Sequence, residues 1–368
     1  MNKLFIVHYY PLDYFPPTMN LIESLEDKIN VTVSTTRKSN LLPEFTGEKV
    51  RIYRNIKENK TDGSLRILAK YILFSILTLW QLIHKRPDVI LYYESISAWP
   101  AYLYKLFFFR NVKVCIHYHE YMTPIEYGRP GMRLSKYNHR IETSCLYKKA
   151  VWISQTNEYR RDLFLKDYPD IPKNVCRILP NYPPKNWLRK QKEHKGDIVK
   201  CVYVGSLSLK DTYVLEFCQW INMQKGKVTF DIYSFNFHED TLEAVEKLHS
   251  PYIHFHKEGV NYSEIPNLLA HYDVGVLLYK AQALNFKYNE TNKFYEYLIC
   301  GLDVWYPKEM TLLHEMDKTA FAPEIVEMDI TNGKFPELNM NRRIVDNSSY
   351  DKVCEDVYEQ FLSELNLQ

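Results

Sequence analysis

Residues 289–307 have the sequence NETNKFYEYLICGLDVWYP, in which a polar half is followed by an apolar half. Gly301 separates the two halves, and glycine is the commonest residue just beyond the end of a helix. The apolar residues after Gly301 predict a buried strand. A helix that passes directly into a buried strand is typical of an α/β protein with a parallel sheet.

The same alternation of helical stretches and short apolar runs continues over the rest of the chain. Because parallel strands need crossover helices, this pattern predicts an α/β fold with two doubly wound, Rossmann-like domains. The predicted strands of the first half are residues 3–9, 30–36, 50–55, 88–94, 112–120 and 150–156, and those of the second half are 199–206, 227–234, 252–256 and 273–280.

The alternation stops at residues 179–197, which contain three prolines and six basic residues and form neither a good strand nor a good buried helix. We therefore predict an N-terminal domain at 1–185 and a C-terminal domain at 186–345. Residues 346–368 are predicted to contain a terminal helix that packs back on a domain, for which the N-terminal domain is a candidate. Ligands of such domains bind at the carboxyl ends of the strands, so we expect the two domains to face each other across a binding cleft.

Composition excludes several classes of protein. The 368 residues contain 47 Lys and Arg against 45 Asp and Glu, a net charge of +2, which is too balanced for a protein that wraps nucleic acid. The seven cysteines form no CxxC pair, which favours a reducing cytoplasm and argues against structural zinc. The N-terminal apolar run LFIV is too short for a signal peptide and predicts a first strand.

Residues 71–83, YILFSILTLWQLI, are the segment that most resembles a membrane span. This run of 13 residues is shorter than the roughly 20 that cross a bilayer. We therefore predict a buried helix, and a helix at a membrane surface remains the alternative.

The first domain carries candidate catalytic residues in the segment HYHE, where His117, His119 and Glu120 follow a predicted buried strand. Histidine near neutral pH can donate, accept or transfer a proton, so His119 is a candidate catalytic residue, with a structural histidine as the alternative. Two histidines without a third ligand of suitable spacing do not predict a metal site. Residues 1–46 contain no glycine, so the fingerprint for NAD or FAD is absent.

The second domain carries a candidate site for a nucleotide diphosphate. Gly205 follows a predicted strand and would let a phosphate approach the backbone, and Lys210 lies in the same loop. Lys293 and Glu296 are three residues apart and therefore neighbours on one helical face. Lysine suits a diphosphate and glutamate suits ribose hydroxyls. The alternatives are an ordinary turn glycine and a surface ion pair.

Several segments, in this order along the chain, resemble the GT-B fold retaining glycosyltransferases of the family 4 type: PDVILYYESISAWPAY, HYHE, VWISQTNEY, ILPNYP, YVGSL, EGVNYSEIPNLLAHYDVGVLLY and NKFYEYLICGLDV. The resemblance places Glu296 at the second position of the family's Glu-x7-Glu element, whereas Tyr288 stands where the first Glu is expected. It implies that Asn289 or Glu290 substitutes for that Glu. Ser206 replaces an arginine of the family, and Asp211 follows Lys210, so Lys210 and Lys293 are the implied phosphate ligands.

The resemblance also places His119 near the transferred sugar and Tyr262 near the nucleotide base. It implies catalysis without a protein nucleophile or a metal cofactor, because the leaving diphosphate takes the acceptor proton while cations stabilise its charge. The predicted donor-binding residues are Gly205, Ser206, Lys210, Tyr262, Asn289, Glu290, Lys293 and Glu296, and the predicted catalytic residues are His119 and Lys293.

Four basic residues, Arg129, Arg133, Lys136 and Arg140, are predicted on one face of a helix. They form either a solvated face or a surface that attracts anionic lipid or a lipid diphosphate. Glu120, Arg129 and Arg133 are the predicted acceptor-side residues.

The sequence therefore predicts a cytoplasmic, membrane-peripheral glycosyltransferase. It would transfer a sugar from a nucleotide-sugar to a glycan or lipid-linked acceptor in surface polysaccharide synthesis. The alternatives are a sugar-nucleotide epimerase of the same architecture and a catalytically silent binding or scaffold protein.

Overall fold

The computed structural model of the protein describes residues 2–38, 43–57, 59, 61–190, 197–316, 323–338 and 350–367. The chain divides into two compact units: Met1–Pro180 with Cys354–Gln368, and Asn181–Val353. Each unit holds one sheet in which every strand pair is parallel, which confirms the predicted α/β class and the two doubly wound domains. The domain predicted to begin at residue 186 begins at Asn181, and the predicted boundary after residue 345 lies outside the described residues.

The first unit contains a seven-stranded sheet in the order β3-β2-β1-β4-β5-β6-β7. Its strands are buried along most of their length, as expected for a parallel sheet covered on both faces. They are β1 (Lys3–His8), β2 (Asn30–Arg37), β3 (Arg51–Lys57), β4 (Val89–Tyr93), β5 (Lys113–His117), β6 (Trp152–Gln155) and β7 (Cys176–Ile178).

The strand order of this sheet reverses between β1 and β4, since β2 and β3 lie on one side and β5 to β7 on the other. The loops that leave two such strands diverge and open a crevice at their carboxyl ends. His8 ends β1 and Tyr93 ends β4, so both residues lie at this crevice. The helices of the unit up to residue 167 are α1 (Pro16–Leu25), α2 (Ser64–Lys85), α3 (Ala98–Leu103), α4 (Arg133–Ile141) and α5 (Glu158–Asp167).

The prediction that residues 71–83 form a buried helix is only half correct. Helix α2 covers these residues, but Ile72, Ile76 and Trp80 are 41–55% exposed. The prediction failed because α2 is apolar on two faces, and composition does not say which face meets the sheet.

The second unit contains a six-stranded sheet in the order β10-β9-β8-β11-β12-β13, and the order reverses between β8 and β11. Val204 ends β8 at this point. The strands are β8 (Val199–Val204), β9 (Val228–Tyr233), β10 (Ile253–His256), β11 (Val274–Val276), β12 (Asp303–Pro307) and β13 (Ile325–Met328), and the helices are α6 (Val214–Met223), α7 (Glu239–Glu246), α8 (Ile265–Leu269), α9 (Leu284–Lys287), α10 (Asn292–Ile299) and α11 (Thr311–Glu315).

Helix α12 (Cys354–Glu364) follows the second unit in sequence but belongs to the first. It packs on α1, where the buried Tyr358 hydroxyl donates to the carbonyl of Pro17 at 2.8 Å. Lys28 and Glu359 form an exposed ion pair at 2.6 Å, which adds little stability. The buried face of α12, with Tyr358 and Phe361 among its residues, therefore completes the core of the first unit.

Candidate functional site

Gly205 marks the point where the second sheet reverses its strand order. It follows β8 directly and has φ of 140°, a backbone conformation that residues with a side chain rarely adopt. A Cβ atom at this position would lie only 2.7 Å from the Nζ atom of Lys293. The glycine therefore leaves room for the ammonium group of Lys293 at the carboxyl end of β8, where ligands of this architecture bind.

The ammonium group of Lys293 is held by two tyrosines from neighbouring strand ends. It donates to the Tyr279 hydroxyl at 2.9 Å and lies 5.5 Å from the ring centroid of Tyr203 and 5.4 Å from that of Tyr279. Burial opposes the charged form, but Tyr279, Tyr203 and Glu296 outweigh it and raise the pKa of Lys293 above its usual value. The site therefore contains a fixed cation over aromatic faces.

Tyr297 and Gly275 set the position of α10, which carries Lys293. Gly275 on β11 has no side chain, and the Tyr297 ring occupies the space where its Cβ would be. The Tyr297 hydroxyl accepts a hydrogen bond from the backbone N–H of Val204 at 3.1 Å. One buried side chain thus ties α10 to the end of β8, next to Gly205.

Glu296 is buried, with 3% of its surface exposed, although it was predicted to point toward a ligand. Its carboxyl accepts from Asn292 at 2.8 Å and hydrogen-bonds to Tyr262. Burial raises the pKa of Glu296 to about 7, while Asn292, Lys293 and Tyr262 act in the opposite direction. The structure therefore brings Glu296 and Tyr262 together, as members of one hydrogen-bonded group.

The other residues predicted to bind the donor substrate are less closely associated with Lys293. Glu290 accepts from the Tyr295 hydroxyl at 2.6 Å, and Asn289 is half-buried beside it in sequence. Tyr288 follows α9 directly. Ser206 is exposed, and its carbonyl accepts from Tyr203 at 2.8 Å.

Lys210 lies exposed in the loop after β8. Ser208 and Asp211 close this loop, since the Ser208 hydroxyl donates to Asp211 at 2.8 Å and accepts from its backbone N–H at 3.0 Å. The contacts found among the described residues do not bring Lys210 to Lys293. Asp211, which departs from the family pattern, therefore has a structural role in the turn.

The buried histidines at the carboxyl ends of β1 and β5 are His8, His117 and His119; we call them the histidine cluster. The rings of His117 and His119 are 4.9 Å apart, and those of His8 and His119 are 5.8 Å apart. His119 stacks on Tyr93 at 4.8 Å, and its Nε2 atom hydrogen-bonds to Thr18 at 3.2 Å. Sequence proximity predicted the meeting of His117 with His119, but not the contribution of His8 from another strand.

Burial keeps the histidine cluster uncharged. It lowers the pKa of His8 to about 4, that of His117 to about 3 and that of His119 well below its ordinary value. The Nδ1 atom of His8 lies 2.7 Å from the carbonyl of Tyr10, so Nδ1 carries the proton and Nε2 is an acceptor. That Nε2 atom is buried without a hydrogen-bond partner among the described residues.

Glu94 is a candidate site residue that the sequence reasoning missed. It follows β4 with φ of 58°, which is strained for a residue with a side chain. Its carboxyl accepts from the backbone N–H groups of His119 at 2.7 Å and Glu120 at 3.3 Å. Burial, with a smaller contribution from Glu120, raises the pKa of Glu94 to about 8. The available signal was a glutamate directly after a buried strand, in YYES.

The predicted acceptor-side residues are exposed at separate places. Glu120 follows the histidine cluster, and Arg133 begins α4. The prediction that Arg129 belongs to the same helix is wrong, because Pro130 and Gly131 precede its start, and Arg129 instead pairs with Glu126 at 2.8 Å. Within the described parts of the chain, no group of three or more His, Cys, Asp or Glu residues could hold a metal ion.

Comparison with known proteins supports the fold. No family model matches the chain. No curated protein matches it at a significant level. Among solved structures, HepE from Anabaena in complex with UDP-glucose is similar over 100% of both chains, with a TM-score of 0.68 and 11% identity.

Two further solved structures have the same fold. The lipopolysaccharide outer core galactosyltransferase WaaB matches with a TM-score of 0.56 and 11% identity over 100% of this chain and 99% of its own. A UDP-N-acetylglucosamine 2-epimerase matches with a TM-score of 0.58 and 10% identity over 100% of this chain and 98% of its own. At these identities the likeness shows the fold, which is the GT-B arrangement of two Rossmann-like domains.

Proposed function

We propose that this protein is a glycosyltransferase that takes a sugar from a nucleotide-sugar donor. The observation that carries the proposal is the contact between Lys293 and Gly205 at the strand-order reversal of the second sheet. A diphosphate needs a cation at the carboxyl end of a strand, and the missing side chain of Gly205 lets the Lys293 ammonium occupy that place. The complex of HepE with UDP-glucose, on the same fold, supports a uridine diphosphate donor.

We assign the diphosphate to Lys293 and the hydroxyl groups of the donor to Glu296. The Lys293 ammonium has three N–H donors, of which one is directed at Tyr279 in the structure. Because α10 is fixed by Tyr297, this cation needs little rearrangement to stabilise the charge that develops on a leaving diphosphate. Glu296 and Tyr262 form a hydrogen-bonded pair that suits a polyhydroxyl ligand.

We assign the acceptor to the first unit, at the carboxyl ends of β1 and β4. The histidine cluster is uncharged, so His119 would orient an acceptor hydroxyl without a full charge. In the proposed reaction the bond between the sugar C1 and the diphosphate oxygen breaks, and a bond from the acceptor oxygen to C1 forms. The acceptor proton passes to the leaving diphosphate, with retention at C1, as in family 4.

We further propose that the acceptor is a glycan or a lipid-linked glycan in surface polysaccharide synthesis. The likeness to a lipopolysaccharide galactosyltransferase supports this class of acceptor. A cation fixed at Gly205 also supports a reaction that needs no metal cofactor, so we expect a chelator to leave the rate unchanged.

The binding step is tested by calorimetry with UDP, UDP-glucose, GDP and GDP-mannose. We expect at least one nucleotide to bind, and Lys293→Met to weaken that binding roughly 10- to 100-fold, the range for a charge-assisted hydrogen bond. Lys247→Met is the matched control, because Lys247 is an exposed lysine of the same unit. Absence of binding to every nucleotide would leave a silent scaffold protein as the better description.

The transfer step is tested by incubation of the donor with and without a glycan acceptor. We expect nucleoside diphosphate release to depend on the acceptor, and the product to keep the anomeric configuration of the donor by NMR. Conversion of the donor to a different nucleotide-sugar without any acceptor would instead favour an epimerase, a class that also has this fold.

A further inference from the structure

Helix α2 has an apolar outer face in addition to its buried face, unlike an ordinary surface helix. Six large apolar side chains line its outer face; five of them recur every three or four residues, and Leu73 follows Ile72. Each is between 41% and 84% exposed. We call these residues the apolar stripe; they are Leu65, Leu68, Ile72, Leu73, Ile76 and Trp80.

The inner face of α2 carries several of its polar side chains. Thr78 hydrogen-bonds to Ser34 of β2 at 2.7 Å, and Gln81 donates to Asn55 of β3 at 2.9 Å. Ser75 donates to the backbone carbonyl of Tyr71 at 2.9 Å. The hydrogen bonds of Thr78 and Gln81 hold this face of α2 against the sheet of the first unit, which directs the apolar stripe to the outside.

A second exposed apolar group lies beside the C-terminal end of α2. Phe107, Phe108 and Phe109 are between 38% and 70% exposed, and their segment packs against α2. The guanidinium of Arg86, directly after α2, lies 5.6 Å from the ring centroid of Phe109. Trp80 lies toward the same end of the helix, so exposed aromatic and basic side chains occur together there.

Basic residues outnumber acidic ones in and next to these two segments. Residues 64–86 and 98–115 contain no Asp or Glu, whereas they contain seven basic residues: Arg66, Lys70, Lys85, Arg86, Lys105, Arg110 and Lys113. The acidic neighbours are Asp62, which pairs with Arg66 and Lys70, and Asp88, which accepts from the backbone of Lys3. An exposed apolar surface with a basic rim is complementary to an anionic bilayer.

From this arrangement we infer that α2 and Phe107–Phe109 form a docking surface for an anionic lipid bilayer. By length and composition α2 could also span a membrane. Its side-chain hydrogen bonds to Ser34 and Asn55 would then be lost, so the structure favours a helix that lies along the lipid surface. A second copy of the chain is a poorer occupant, because a symmetric pairing would bring the basic rim against itself.

The inference is tested by flotation of the full chain with phosphatidylcholine vesicles, with and without phosphatidylglycerol. The stripe variant combines Ile72→Gln, Ile76→Gln and Trp80→Gln, and the rim variant combines Arg86→Gln and Arg110→Gln. All five side chains are exposed, so we expect an unchanged Tm. Met223→Gln is the apolar control, because Met223 is exposed in the second unit.

We expect the parent protein and the Met223 variant to float with anionic vesicles. The stripe variant should bind at least roughly tenfold more weakly to them, since its apolar contact is lost. The affinity of the rim variant for anionic vesicles should fall roughly fivefold for each basic residue removed. With phosphatidylcholine alone, the rim variant and the parent protein should bind equally.

Three results would overturn the inference. The first is equal flotation of the stripe variant and the parent protein. The second is a loss of binding on Lys136→Gln with Arg140→Gln, which would move the lipid contact to α4. The third is a parent protein that does not bind vesicles and sediments as a dimer, together with a stripe variant that sediments as a monomer.

Discussion

The ammonium of Lys293 lies within 2.7 Å of the position that a Cβ atom would occupy at Gly205. The two residues are far apart in sequence, yet each restricts what the other position can contain. A side chain at position 205 would displace the far end of a flexible lysine and leave the backbone of α10 in place.

We therefore expect Gly205→Ala to lower nucleotide affinity by more than its effect on stability explains. The variant should lose about 1 kcal/mol or more of unfolding free energy from its φ of 140°. Displacement of Lys293 should weaken nucleotide binding roughly tenfold or more. Calorimetry and urea unfolding of the same preparation measure the two effects.

Gly333→Ala is the matched control for this prediction. Gly333 also has a positive φ, of 67°, but a Cβ there would have nothing within 4 Å. The control should share the stability loss and keep the affinity. If both variants bind nucleotide as well as the parent protein does, Lys293 does not contact the ligand.

Glu296 should make the stability of the protein fall as the pH rises. Its pKa is about 7 in the folded protein, raised by burial from the ordinary value of 4.5. Between these values the unfolded chain loses its proton while the folded protein keeps it, so ionisation favours unfolding. The full difference is about 3 kcal/mol, which is an upper limit.

The measurement is urea unfolding of the parent protein and Glu296→Gln across pH 4 to 8. Above pH 7 the variant should gain stability relative to the parent, compared with the difference between the two at pH 4. Parallel curves over the whole range would show that the carboxyl of Glu296 is solvated in solution.

Glu94 should stabilise the loop after β5 through its acceptor oxygen and not through its charge. Glu94→Gln keeps an acceptor for the N–H groups of His119 and Glu120, so a small effect is expected. Glu94→Ala leaves two donors unsatisfied and should cost about 1–3 kcal/mol of unfolding free energy. Chemical denaturation near pH 6 measures both variants.

Glu94→Gly separates backbone strain from the loss of the acceptor. Glycine adopts a φ of 58° without penalty, so this variant should be more stable than Glu94→Ala. Equal stability of the alanine and glycine variants would mean that the strain at position 94 contributes nothing.

The histidine cluster should lower the stability of the folded protein at acidic pH. Because burial lowers the pKa of His8 to about 4 and that of His117 to about 3, the unfolded chain takes up these protons first. Stability should therefore fall as the pH drops from about 6.5 toward 4. His8→Asn, which keeps a donor for the Tyr10 carbonyl, should show a shallower decline in unfolding experiments.

Histidine NMR spectra of the full chain provide a direct check. The three cluster signals should keep the chemical shifts of neutral imidazole between pH 5 and 8, with assignment from single substitutions. A midpoint near 6.5 for His119 would mean that the cluster is open to solvent.

The sequence predicted what short-range patterns determine. Uninterrupted apolar runs such as Leu4 to Val7 predicted the parallel strands, because a strand buried on both faces has no polar alternation. The spacing of Lys293 and Glu296 predicted that both lie on one helix, which is α10. A glycine directly after a predicted strand indicated a candidate binding position at residue 205.

Contacts between distant segments were not predictable. Tyr203 and Tyr279, which hold Lys293, come from separate strand ends and look like ordinary core tyrosines in the sequence. His8 meets His119 only because β1 and β5 lie on either side of β4. The orientation of α2 depends on hydrogen-bond partners in β2 and β3, so composition alone did not predict which of its faces is exposed.

The return of α12 to the first unit has a consequence for biosynthesis. The second unit is one continuous segment, whereas the first needs Tyr358 and its neighbours, which leave the ribosome after all of the second unit. Domains usually fold in the order in which they emerge. Here the segment made first stays incomplete, with the surface of α1 uncovered, until the other unit has been synthesised, so the nascent first half is the part most in need of chaperone protection.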